Sequence, residues 1–414
     1  MRDQIIAGLD LGTSYIRIAV GQRDVKKPNN NNLQIIGLVE FPTQGISKGA
    51  INSIEDTVSS ITSALEQVEK ITGISLENAF VGVSGSHISA NTSKGVIAVS
   101  RVNGEIEEED VARAIEAARS VGIPPNKEIL HIIPKSFIVD GQNAIKDPVG
   151  MTGIRLEVET MVIQGASSQI KNLTKCVYRT GLNIEDLIYG ILGAAEGVLP
   201  SRQRELGVAV IDIGASNINL TVFEGGELIH IAVLPIGADH ITSDIAIGLR
   251  IDLDSAEKIK IESGCGASAD IDKKEEINLA DYGAGEDVVI SKKYVARIIE
   301  ARVEEIFEKV NCELKKIDRE GMLPAGVVLI GGGAKLMGIV EQAKKHLRLP
   351  ARIGQVEKVD SVLDKAKDPS FCTAIGLAIW GNQMMGGKDD RGFDFGIITE
   401  GFKKFGKWLK NLKP

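Results

Sequence analysis

Residues 5–20 read IIAGLDLGTSYIRIAV, and residues 207–223 read GVAVIDIGASNINLTVF. Each is an apolar run of β type, then Asp-x-Gly with small residues, then a second apolar run. That pattern predicts strand, tight turn, strand. A single Asp-x-Gly is most simply a hairpin turn. Two copies about 200 residues apart, each between apolar strands, predict two related domains that face each other. The expected fold is α/β and two-lobed, with a duplicated nucleotide-binding core.

The turns carry the chemistry. In Asp10-Leu11-Gly12-Thr13-Ser14 the glycine admits a close approach of backbone, and the N–H groups with the Thr13 and Ser14 hydroxyls suit phosphate oxygens. Asp10 suits Mg²⁺ held through water, because this hard cation takes oxygen ligands and keeps part of its hydration shell. Asp212, Gly214, Ser216 and Asn217 are expected to do the same from the other side. Gly331, Gly332 and Gly333 follow the apolar run 327–330 and precede a predicted helix; bare backbone there suits a purine and ribose. On a predicted helix, Glu257 is placed to accept from ribose hydroxyls and Lys260 to flank the base. Each of these alone also reads as an ordinary turn or a solvated helix face.

The 414 residues allow two to four domains. Net charge is −8, so the body is acidic, which argues against broad nucleic-acid binding. The cysteines Cys176, Cys265, Cys312 and Cys372 show no C-x-x-C spacing, and the histidines no metal or nucleophile spacing. Scattered thiols fit a reducing cytoplasm. The chain opens on a predicted strand rather than a signal segment. No run approaches the ~18 apolar residues of a membrane span, so membrane contact is expected to be peripheral.

That contact is expected at the end of the chain. As a helix turning ~100° per residue, 398–413 puts Ile398, Phe402, Phe405, Trp408, Leu409 and Leu412 within an arc of about 120°. Lys403, Lys404, Lys407, Lys410 and Lys413 fall outside it. A bulky apolar stripe beside a lysine-rich face is the pattern of a helix lying in an anionic membrane surface. The glycine- and charge-rich stretch before it, 386–397, reads as a flexible linker.

Between the hairpins, 84–161 reads as a compact α+β insertion: a strand, a helix over 107–121 with an acidic first turn, then two strands, HIIPKSFIVDG and RLEVETMVIQG. A helix over 168–181 follows. From 237 to about 310 the chain reads as charged helix, including the long run that carries Lys293, Arg297 and Arg302. A solvated face is the plainer reading of those three cations; an acidic-peptide site is the alternative.

Taken in order, the two loops, the Glu257/Lys260 helix and the Gly331–Gly333 turn resemble the actin-like ATPase superfamily. The block 131–159, the stretch IKNLTKCVYRTGL (170–182) and the tail after its linker resemble more closely the FtsA family, bacterial division proteins that tie FtsZ to the membrane. The resemblance implies a subdomain IA from 1–83, 162–203 and 367–385. It implies an inserted subdomain IC over 84–161, serving self-association and other division proteins, and a IIA from 204–237 and 310–366. A IIB over 238–309 would dock the FtsZ C-terminal peptide, with Arg302 and Lys293 meeting its acidic residues. ATP and Mg²⁺ are the implied cofactors. The implied function is a polymer-forming adaptor on the cytoplasmic face of the membrane at the division site.

One departure bears on hydrolysis. The family's second loop commonly reads Asp-Ile-Gly-Gly-Gly, then Thr-Thr-Asp. Here Ala215, Ser216, Asn217, Ile218 and Asn219 follow Gly214. Ala215 removes backbone freedom and Ile218 cannot donate a hydrogen bond. Nucleotide binding is expected to be kept, and hydrolysis to be slow or absent. Two other classes share the loops: a PilM-like cytoplasmic scaffold of pilus assembly, and a sugar kinase, for which no catalytic base stands out.

Overall fold

A computed structural model describes residues 4–23, 33–101, 103–119, 124–284 and 287–386. Both Asp-x-Gly segments form hairpins, and each hairpin seeds a sheet of the same topology. In the first sheet Leu33–Pro42, Tyr15–Arg23 and Gln4–Leu11 run as an antiparallel meander. Asn78–Val83 and then Asn183–Tyr189 add in parallel beyond Gln4–Leu11. In the second, Glu227–Leu234, Ile218–Glu224 and Val208–Ile213 make the meander, and Val327–Ile330 and Ala351–Ile353 add in parallel. The first sheet gains one more strand, Val359–Ser361, beside Leu33–Pro42. The fold is therefore actin-like α/β with a duplicated core.

The central strands are nearly continuous apolar runs because helices cover them. Cys372–Gly386, buried through most of its length, packs on Gly190–Val198 and against Gln4–Leu11. The buried cluster of the first lobe runs on through Val208, Val210 and Phe223 into the second sheet. The lobes thus share a core.

The insertion is a third sheet, in the order Ser89–Ala98, Arg155–Ala166, Lys127–Val139, Gln142–Ile145. One helix, Glu108–Arg119, covers it and closes a small core of Ile106, Val111, Ala114, Phe137, Leu156 and Val158. This helix starts one residue later than the sequence predicts; residues 120–123 lie outside the described residues. On the second lobe, Ala238–Leu249, Leu253–Ser263 and Lys292–Lys315 form a helical layer. The glycine turn after Val327–Ile330 leads into a single 3₁₀ turn, Gly332–Lys335, before the α-helix Ile339–Leu347. Consecutive glycines carry too low a helix propensity to extend that turn.

None of the helices among the described residues is long and apolar enough to cross a membrane. The predicted tail helix 398–413 lies outside the described residues, as do the asparagine run 29–32 and the predicted linker beyond Gly386.

Candidate functional site

The two hairpin turns are built alike. Gly12 N donates to Tyr15 O at 3.1 Å, and Gly214 N donates to Asn217 O at 3.0 Å. Antiparallel pairing sets Arg17 opposite Asp10 and Asn219 opposite Asp212. Directly opposed residues project from the same face of a sheet, so each aspartate faces its partner at the mouth of its turn.

The turns differ in what their side chains do. Among the described residues the Thr13 and Ser14 hydroxyls bond no protein group, and Ser14 is exposed. Ser216 Oγ instead reaches Asp239 Oδ2 at 3.3 Å. The carbonyls of Gly214 and Ala215 accept from Ala238 N (2.9 Å) and Asp239 N (2.8 Å), capping the start of helix Ala238–Leu249. The second turn is thereby fastened to the helical layer.

Asp10 feels the charge of Asp212 across the cleft. Burial, opposed by Arg17 and reinforced by Asp212, pushes the Asp10 carboxyl up to about 7. Burial also raises Asp212, against the Asn219 hydrogen bond and the Arg17 charge. Asn219 Nδ2 donates to Asp212 Oδ2 at 3.1 Å, and Tyr189 Oη reaches Asn219 Oδ1 at 3.4 Å from the first lobe. Arg17 is held by Glu40 at 2.7 Å, its guanidinium 5.3 Å from the Tyr15 ring and 5.8 Å from the Phe371 ring.

Two carboxylates made reluctant to ionise by burial, Asp10 further so by the charge of Asp212, suit a cation between them. Among the described residues no cluster of three or more His, Cys, Asp or Glu forms a metal site. An oxygen-only pair fits a hydrated Mg²⁺ that takes its remaining ligands from water and phosphate.

The glycine turn closes the same cleft. Gly331, at φ +85°, lies so near that a Cβ would fall 2.3 Å from Asp212 Oδ1; only glycine allows both the angle and the approach. A Cβ on Gly332 would meet nothing within 4 Å, so its backbone borders open space. Gly333 backs onto Ile213. Lys260 Nζ lies 2.6 Å from Glu257, 2.8 Å from Thr242 Oγ1 and 3.2 Å from Ala238 O. Glu257 also accepts from the Thr242 hydroxyl. The pair thus joins helix Leu253–Ser263 to the helix start behind the second turn.

Sequence reading missed Arg17, Asn219 and Tyr189. For the first two a signal existed: in a hairpin centred on its turn, the residue seven after the aspartate lies opposite it. Tyr189 comes from a distant strand and left no such signal.

Comparisons with known proteins bear on what this cleft belongs to. A sequence profile described as cell division protein FtsA matches residues 209–376, and one described as the SHS2 domain inserted in FtsA matches 85–164. The chain is 38% identical over 375 residues to the cell division protein FtsA of Bacillus subtilis, covering 91% of this chain and 83% of that one. It is 34% identical over 380 residues to FtsA of Pseudomonas aeruginosa, covering 92% and 90%. Against FtsA of Escherichia coli K12 it is 31% identical over 417 residues, covering 99% and 96%.

The chain belongs to the FtsA family of cell division proteins.

Solved structures place its fold more widely. A PilM–PilN type IV pilus biogenesis complex superposes with a TM-score of 0.67 at 17% identity, covering 91% of this chain and 98% of that one. MreB5 of Spiroplasma citri bound to ADP superposes at 0.53 with 14% identity, covering 92% and 97%. At such identities the likeness is one of fold, and the fold is actin-like.

In this FtsA-family chain the two cations assigned to an acidic peptide both sit on helix Lys292–Lys315, on opposite flanks. Nine residues at ~100° each amount to about half a turn beyond two full turns. Arg302 donates Nε to Asp244 Oδ2 at 2.6 Å and Nη2 to Asp244 Oδ1 at 2.9 Å, and also pairs with Glu305. Lys293 Nζ donates to Ile271 O at 3.0 Å. Arg297, between them in sequence, is exposed.

Proposed function

We propose that this FtsA-family chain binds Mg²⁺·ATP in the cleft between Asp10 and Asp212, assembles into polymers, and ties FtsZ filaments to the cytoplasmic face of the membrane at the division site. The observation that carries the nucleotide half is the pair of like hairpins with Asp10 and Asp212 facing each other across one cleft. Asp10 and Asp212 would hold Mg²⁺ through water. Gly12, Thr13 and Ser14 would meet phosphate from one side, and Gly214 and Asn217 from the other, with Ser216 shared with Asp239. Gly331, Gly332 and Gly333 would pass the base and ribose along bare backbone, with Glu257 and Lys260 beside them. Hydrolysis would be slow or absent, since the second turn is tied to its helix and Ala215 and Ile218 replace more permissive residues.

The adaptor half rests on family membership and on the sequence of the tail. Phe402, Phe405, Trp408, Leu409 and Leu412 would enter the membrane and Lys403, Lys404 and Lys407 would face anionic lipid. One such helix binds marginally. A polymer presents many, and avidity raises attachment without new contacts. The FtsZ C-terminal peptide would meet Arg302 and Lys293 on the 238–309 layer, and other division proteins would meet the insertion at 84–161. The pilus-scaffold alternative retains only a shared fold.

Co-pelleting with anionic liposomes tests this reading directly. The intact chain should pellet and a chain ending at Gly387 should not. Equal behaviour of the two, in either direction, removes the tail as the anchor.

A further inference from the structure

A short hairpin of the first lobe reaches across the cleft. Ile46–Ser47 pairs with Ala50–Ile51, and the two turn residues, Lys48 (φ 52°) and Gly49 (φ +73°), both lie in the left-handed region. That is the type I′ geometry that matches the twist of flanking strands. A Cβ on Gly49 would fall 2.3 Å from Asn217 Nδ2, the amide of the second lobe's phosphate-side turn. On another side it would lie 3.2 Å from Gly85 Cα. Gly49 thus lies directly against the Asn217 amide of the second lobe, and a residue with a side chain would displace that amide. The Asn217 amide makes no hydrogen bond within the protein among the described residues.

Beside this contact stands a free cation. Lys48 is exposed and forms no ion pair among the described residues. The other cations named at the cleft are engaged: Arg17 with Glu40, Lys260 with Glu257. A third phosphate brings further negative charge into a cleft that already holds Asp10 and Asp212. Lysine offers a mobile point charge on a long flexible stem, suited to a group whose position changes with closure.

We propose that the Lys48–Gly49 turn reads the terminal phosphate of a nucleotide in this cleft: Gly49 leaves the Asn217 amide its place beside the turn, and Lys48 supplies a cation to that phosphate. The inference rests on the nucleotide reading above and goes beyond it. It makes the turn a discriminator between triphosphate and diphosphate rather than a general contributor to binding.

The test is titration calorimetry of the full chain with the ATP analogue AMP-PNP and with ADP, each with Mg²⁺. Lys48→Ala should weaken AMP-PNP about tenfold, equivalent to about 1.4 kcal/mol, while ADP changes less than threefold. Lys48→Arg should restore most of the difference. Gly49→Val, checked for folding by its melting curve, should also collapse the AMP-PNP preference by displacing the Asn217 amide and straining the left-handed turn that presents Lys48. Limited proteolysis should show AMP-PNP protecting wild type more than either Lys48→Ala or Gly49→Val. An equal loss for both nucleotides, or no loss for either, overturns the inference while leaving the nucleotide reading intact. A wild-type chain that binds neither nucleotide overturns both.

Discussion

Asn219 donates its amide to Asp212 at 3.1 Å while its carbonyl oxygen receives the Tyr189 hydroxyl from the other lobe. Arg17 holds the matching place opposite Asp10. The duplicated hairpins therefore carry one neutral and one cationic partner for two facing aspartates. The first lobe supplies the charge that offsets the pair. The second supplies a hydrogen bond that orients Asp212 and links it to the first lobe.

Asn219→Ala should therefore weaken Mg²⁺-dependent nucleotide binding. A hydrogen bond to an ionised group contributes ~1.5–3 kcal/mol, so the expected loss is about 10- to 100-fold. Titrating the variant with nucleotide in Mg²⁺ and in EDTA checks this. The loss should be confined to the Mg²⁺ series, and an equal loss in EDTA would contradict the role.

A buried ion pair stands where the chain passes between lobes. Arg204 Nη1 lies 2.6 Å from Glu196 Oε1, both side chains nearly inaccessible at 6% and 4%. The guanidinium also donates to Ala195 O at 3.0 Å and sits 5.1 Å from the Phe223 ring. Glu196→Ala leaves a buried cation without its carboxylate, a defect that costs about 3–5 kcal/mol. Replacing both, as Glu196→Leu with Arg204→Met, should cost less than the single change. Urea unfolding decides it, and a double variant weaker than the single one contradicts the account.

Asp186 gives a pH dependence of unusual sign. It is buried, with Leu187 N donating to Oδ1 at 2.8 Å and no partner on Oδ2 among the described residues. Burial pushes its carboxyl up to about 8. Between the ordinary carboxylate range and that value, the folded chain keeps a proton the unfolded chain has released. The contribution of this group to stability therefore falls as pH rises, by at most about 1.4 kcal/mol per unit, and levels off above the folded value. Asp186→Asn should be the more stable form at pH 8, by roughly 1–3 kcal/mol, with the gap closing towards pH 4. Parallel stability curves for the two proteins would rule this out.

The hairpins were legible in the sequence because their signal is local: apolar runs, a turn, apolar runs. The cross-strand partners Arg17 and Asn219 were missed, although the same register would have placed them opposite the aspartates. The sequence did not disclose the Lys48–Gly49 turn, whose flanking strands are two residues each, too short for any alternation to show. Nor did it disclose Val359–Ser361, a three-residue edge strand recruited by a sheet whose other members lie far away in sequence. Ser216 reads as a phosphate donor until Asp239, in the next helix, is seen to engage it. Such relations depend on which elements meet, and that is set by packing rather than by local pattern.

Arg302 frames the last prediction, because its carboxylate place is already taken. Asp244 fills both prongs of the guanidinium fork, so an acidic FtsZ peptide would have to share or displace it. Asp244→Asn removes the competing charge and should tighten the peptide several-fold, while Arg302→Ala should weaken it by a similar or larger factor. Lys293 lies about half a turn round the same helix from Arg302 and is engaged by Ile271 O. Lys293→Ala should therefore leave the affinity within about twofold, a difference of about 0.4 kcal/mol. Fluorescence anisotropy with a labelled FtsZ C-terminal peptide separates the cases. If Lys293→Ala alone weakens binding, the peptide lies on the Ile271 side. If Arg302→Ala and Asp244→Asn move in opposite directions, it lies against helix Ala238–Leu249, where displacement of Asp244 would couple peptide capture to the helix whose start is capped by the Gly214–Ala215 turn.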